Sequence, residues 1–137
     1  MLKKVFVAGV FDCFHLGHQF FLCKAFSLHK NLTIVVARDT TVFKLKKKYP
    51  QYSEKKRQQK IQNIFTNYKN VKIRLGRANG NFFETIAEEK PNIIFLGYDQ
   101  RFNQKKCKKL FPKIKIIRTK PFYPEYFKSS VLQKLLQ

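Results

Sequence analysis

Two histidines, His15 and His18, stand three residues apart in GVFDCFHLGH, residues 9–18, with Gly17 between them and Gly9 at the head of the stretch. Imidazole N–H groups can donate to phosphate oxygens as negative charge builds up on them in a transition state. Glycine lets backbone approach a ligand closely. If a helix opens near Gly17, its free N–H groups and dipole favour an anion, and two residues at this spacing share a face. Taken only as HxxH, the pair has a plainer reading: a solvated loop histidine and a helix histidine satisfied within the protein. A zinc pair would need further ligands, and none suggests itself.

The elements around the stretch narrow the choice. Residues 4–8 (KVFVA) read as a strand from their β-branched and aromatic content. Residues 17–28 read as a helix with an apolar face of Phe20, Phe21, Ala25 and Leu28. Strands are expected at 32–37 (LTIVVA), 71–75, 92–96 (NIIFL) and 113–117, the last edge-like because Lys and Ile alternate. Helices are expected at 53–68, capped by Ser53 and buried through Ile61, Ile64, Phe65 and Tyr68, and at 82–89, 100–110 and 129–137. Residues 38–52 read as a basic loop.

Apolar strands alternating with helices specify an α/β fold: a Rossmann-like, parallel five-stranded sheet with helices on both faces, in a single domain over residues 1–137. Ligands in such sheets bind beyond the C-terminal strand ends. The residues to weigh are therefore those following each strand.

Composition excludes several classes. No apolar run is long enough for a membrane span, and the N-terminal MLKK does not read as a signal peptide, so a cytoplasmic location is expected. The three cysteines lack a CxxC, which argues against a disulfide framework or a four-ligand zinc site. The net charge of +21 attracts polyanions in general without naming one.

The strand–turn–helix stretch closely resembles the G-[TV]-F-D-x-x-H-x-G-H signature of the cytidylyltransferase-like nucleotidyltransferases. Residues 35–46 (VVARDTTVFKLK) and 93–100 (IIFLGYDQ) resemble segments of the archaeal-type FAD synthases. Arg118-Thr119 followed by Ser129-Ser130 resembles the closing motif of the same family, with the wider spacing of those synthases rather than the compact form of the glycerol-3-phosphate cytidylyltransferases. The resemblance implies transfer of a nucleoside monophosphate from a triphosphate to a phosphate-bearing acceptor, with pyrophosphate released. FMN adenylyl transfer is the leading case, and cytidylyl transfer to glycerol 3-phosphate or a similar small phosphate is the alternative.

The family pattern then implies roles. His15, His18, Lys44 and Arg118 are the catalytic set. Gly9, Val10, Phe11, Asp12, Leu16, Gly17, Arg57, Asp99 and Ser129, with the two histidines, hold the nucleotide. Asp39 and Lys46 face the acceptor. A divalent metal (Mg²⁺, with Mn²⁺ or Co²⁺ as alternatives) rides on the triphosphate rather than on a protein cage. The implied partners are ATP or CTP and a phosphorylated small molecule such as FMN, with no specific nucleic acid; a homodimer is also implied. Each residue keeps a plainer alternative: solvated surface for Lys44 and Arg57, a turn cap for Asp12, helix N-caps for Asp99 and Ser129. Val10 replaces a frequent threonine, so a side-chain hydroxyl is absent there. A basic nucleic-acid-binding module is the competing class, favoured by charge but by no RNA-binding signature.

Overall fold

The computed structural model describes residues 3–120. The expectations at Ser129 and for a helix over 129–137 lie outside the described residues. Five strands form one all-parallel sheet: β1 (Val5–Gly9), β2 (Leu32–Val36), β3 (Val71–Leu75), β4 (Ile93–Leu96) and β5 (Lys115–Arg118), in the order β3-β2-β1-β4-β5. Strand β5 is an edge, as its Lys/Ile alternation predicts.

Helices α1 (Leu16–Leu28) and α3 (Glu54–Ile64) cover one face, and α4 (Phe82–Glu89) and α5 (Gln104–Leu110) the other. Val5 and Val7 of β1 pack toward Phe21, Leu22, Ala25 and Ile61. Phe6 and Ala8 pack toward Ile86 and Cys107. Alternate strand residues thus fill opposite layers, which is why the inner strands read as unbroken apolar runs.

Several local expectations change. Residues 38–52 are not all loop: α2 (Asp39–Lys46) occupies the first half. Its lysines are good helix formers, Asp39 sits in the first turn, and Val42 is buried. Lys47, in the left-handed conformation, ends it by donating its N–H to the Phe43 carbonyl. On α1, Leu22 is buried while Phe20 and Leu28 remain exposed. Helix α3 ends at Ile64 rather than at 68; on it Arg57 joins Ile61 inside, and Ile64, like Tyr68 beyond the helix, stays outside. Helix α5 starts at Gln104 under an Asn103 cap rather than at Gln100.

The chain runs β1, β2, β3 outward, then returns to lay β4 and β5 on the other side of β1. Strands β1 and β2 pair over five residues, Val5–Leu32 through Gly9–Val36, whereas β1 and β4 pair only at Val5–Ile93 and Phe6–Ile94. The two central strands therefore part toward their C-terminal ends, at the point where strand order reverses. A crevice must open there.

Candidate nucleotide-binding site

The crevice is a cleft of about 720 Å³, within the usual size for a small-molecule site. One wall is the β1–α1 turn, through Gly9, Val10, Phe11, His15, Gly17 and His18. The other is the β4 exit, Gly97 to Gln100, with Thr119 beyond β5.

His15 is the N-cap of α1. Its Nδ1 accepts the Gly17 N–H at 3.0 Å, and the His15 N–H donates to His18 Nδ1 at 3.3 Å. The two histidines thus form a reciprocal capping box. With both Nδ1 atoms accepting, each neutral ring carries its proton on Nε2 and keeps that N–H free to donate. The rings stack at 3.9 Å between centroids. Phe14 stacks on His18 at 5.5 Å, and Phe11 meets it edge-on at 5.6 Å. Burial among these rings, reinforced by the neighbouring His15 imidazole and opposed by Asp12, pushes the His18 pKa down to about 4. A Cβ on Gly17 would lie 2.8 Å from His15 Cε1, so any side chain there would displace the ring.

The turn is strained and braced. Phe11 and Cys13 are both left-handed, with φ of 54° and 47°, an unfavourable region for such residues. Phe11 nevertheless buries its ring so tightly beneath Gly9 that a Cβ there would meet it at 2.9 Å. Asp12 accepts the N–H groups of Gln51 and Tyr52 at 2.6 and 2.9 Å. Burial alone would raise its pKa, but these bonds, that from the Cys13 N–H and the Arg57 charge outweigh it and hold the carboxyl below its ordinary value.

Arg57 is 2% exposed. It donates to the carbonyls of Tyr52, Val10 and Ala37 at 3.0, 2.8 and 2.8 Å and pairs with Asp39 at 2.7 Å. It is neither helix surface nor, with all three nitrogens engaged inside the protein, available to a ligand in this conformation. Asp39 is likewise committed, to Arg57 and to the Glu54 N–H. Arg57 therefore holds the Val10 carbonyl, and with it the histidine turn, from beneath.

The remaining expected residues fall in three places. Asp99 lines the cleft and caps no helix. Arg118 lies beside the β4 exit, donating to the carbonyls of Gly97 and Gln100, both at 2.9 Å, and to Gln104 at 3.1 Å. Leu16, Lys44 and Lys46 do not line the cleft; the two lysines are exposed on α2, beside the braced turn rather than in it.

Two cleft residues escaped the sequence reading as individual actors. Gln100 donates to the Ala8 carbonyl at 3.0 Å and accepts the Gly97 N–H at 3.2 Å, bridging β1 and β4 where their ladder has ended. The Thr119 hydroxyl is buried with no hydrogen-bond partner among the described residues, an arrangement that native proteins keep for a purpose. No sequence signal marks a hydroxyl as unpaired, since that depends on what surrounds it.

A family model described as cytidylyltransferase-like matches residues 6–131. The chain belongs to the cytidylyltransferase-like family. Among curated relatives, an FAD synthase of Aciduliprofundum boonei is 37% identical over 125 residues, covering 88% of this chain and 80% of that one. An FAD synthase of Thermoplasma volcanium is 36% identical over 135 residues, covering 96% and 92%. The solved structure of a Thermoplasma volcanium protein, described as a lipopolysaccharide core biosynthesis protein, superposes with a TM-score of 0.76 at 35% identity, covering 89% of this chain and 99% of that one. A pantoate-β-alanine ligase from Francisella tularensis shares the fold, with a TM-score of 0.60 at 21% identity over 89% of this chain and 61% of its own.

Proposed function

We propose that this protein is an FAD synthase, moving the AMP group of ATP onto the phosphate of FMN and releasing pyrophosphate. The family and the FAD synthase relatives support that substrate pair. The observation that carries the chemistry is the histidine pair in the cleft wall, locked at Nδ1 and free at Nε2.

An oxygen of the FMN phosphate attacks the α-phosphorus. A new P–O bond forms, the bond from the α-phosphorus to the bridging oxygen breaks, and pyrophosphate carries away the electron pair. No covalent intermediate with the protein is needed. His15 and His18, as neutral Nε2–H donors, hold phosphate oxygens as their charge grows, and the opening of α1 supplies a favourable dipole. Asp99, Gln100 and Thr119 offer polar groups to the nucleoside end of the cleft. Arg118, at the β4 exit, supplies positive charge beside the reacting phosphates, and Lys44, exposed on α2 outside the cleft wall, adds charge at longer range.

Among the described residues no three His, Cys, Asp or Glu side chains cluster to cage a metal. The neutral imidazoles give the phosphates hydrogen bonds but no full positive charge, so a divalent cation, Mg²⁺ in the first instance, would come to the site with the triphosphate. Bound there, it would neutralise charge on the leaving pyrophosphate. Among the described residues no helix is long and apolar enough to cross a membrane, and a cytoplasmic enzyme fits that.

Pyrophosphate release from ATP plus FMN, measured beside CTP plus glycerol 3-phosphate, tests the reading. Turnover of the first pair alone supports it, and turnover of the second pair alone overturns it.

A further inference from the structure

Phe43 and Tyr49 stack on each other in the open. Their ring centroids lie 4.6 Å apart at 23°, and the residues are 41% and 59% exposed. An exposed aromatic pair hides little surface from water for its own sake, so its outer ring face is available to a third flat ring. The segment that carries them is strongly basic. Lys44, Lys46, Lys47 and Lys48 share the segment, and residues 44–53 contain no acid. Asp39 and Glu54, which flank it, are already engaged with Arg57 and Arg38. Lys46 follows Phe43 at the three-residue spacing that places side chains on one side of a helix, and Lys47 is the exposed cap residue next to it.

This platform is tied to the catalytic turn. Gln51 and Tyr52, just past Tyr49, give their N–H groups to Asp12. Cys13 Sγ donates to Gln51 Oε1 at 2.7 Å, and Tyr52 gives its carbonyl to Arg57. The Tyr49 Cα is thus at most about 7.6 Å, two Cα steps, from that of a residue bonded to the histidine turn. The aromatic pair, the lysines and the histidine turn are thus joined through Gln51, Tyr52 and Asp12.

We propose that the Phe43–Tyr49 pair is the acceptor's ring-binding platform: it stacks on the flat heteroaromatic ring while Lys46 and Lys47 draw in the phosphate. The assignment rests on FMN being the acceptor. A second copy of this chain is the poorer occupant. A two-fold contact through this patch would set its four lysines against the same four. An aromatic ring bearing a dianionic phosphate complements both features.

The test uses the full chain, FMN as the probe, and the quenching of flavin fluorescence. Phe43→Ala and Tyr49→Ala should each weaken FMN binding about tenfold, the usual scale for losing one stacking partner. Tyr49→Phe should restore it. The rise in melting temperature with ATP and Mg²⁺ should not change. If an alanine variant does not fold, Phe43→Leu and Tyr49→Leu keep apolar bulk without a ring, and the same loss is expected. Unchanged FMN affinity in folded variants of an enzyme that adenylylates FMN overturns the platform alone. So does a shift from dimer to monomer in sedimentation with FMN affinity intact, which would give the surface to a second copy. A wild-type protein that neither binds nor adenylylates FMN overturns the functional reading, and the platform with it.

Discussion

His15 serves as both helix cap and donor, and the two jobs are separable. Asparagine is among the best N-caps, so His15→Asn should keep the melting temperature close to wild type. It removes the Nε2 donor, and kcat should fall at least about 100-fold, the scale for losing one donor to a developing phosphate charge. A nucleic-acid-binding module would show no such loss, only salt-sensitive binding indifferent to the substitution. His18 gives a titration to check. Its folded pKa is depressed to about 4 from an ordinary 6.5. Below pH 6.5 the unfolded chain takes up the proton first, so His18's share of stability is full above about pH 6.5. It is lost as pH falls toward 4. The Hε1 resonance of His18 should titrate near pH 4 in the free protein, well apart from that of an exposed imidazole. Thr119→Val should raise the ATP KM without lowering stability, since the hydroxyl it removes has no partner among the described residues; an unchanged KM would remove Thr119 from the nucleotide contacts.

At the scale of elements, Glu89 ties the far side of the sheet to α4. It is buried and accepts from Lys4, Lys72 and Arg74 at 2.8, 2.9 and 2.9 Å. Burial would raise its pKa, but the three cations outweigh that and hold it at about 2. The stability it contributes is present above about pH 4.5 and is lost as pH falls toward 2. Glu89→Gln should cost about 3 kcal/mol, the low end for breaking a buried pair, because Lys72 remains open to water. Urea unfolding at pH 7 measures it, and the gap between the proteins should close as the pH approaches 2. The element most misread from sequence is α2. Its eight residues include two lysines and precede two more, so charge points to a loop. Buried Val42 and the αL cap at Lys47 override that.

For the whole molecule, +21 is a long-range field with few internal partners. Asp39, Glu54, Glu84, Glu88 and Glu89 are all spent in ion pairs. Arg77, for one, pairs with both Glu84 and Glu88. The unbalanced lysines should steer ATP toward the cleft, so kcat/KM should fall several-fold as salt rises from about 0.05 M to about 0.5 M. A kcat/KM indifferent to salt would show that the charge plays no part in capture. The motif, the alternation of strands and helices, and the edge position of β5 were legible because each is carried by local pattern: spacing, period and burial of consecutive residues. The sequence alone determined that residues 9–18 turn from a strand into a helix, begun at Gly17 in that reading and at Leu16 in the structure, and it pointed to the C-terminal strand ends, where the cleft lies. Only the tertiary structure decided that Arg57 is a buried brace, that Gln100 bridges two parted strands, that the Thr119 hydroxyl is unpaired among the described residues, and that Phe43 stacks on Tyr49. Those facts depend on which residues meet across the fold, and a linear pattern does not encode such meetings.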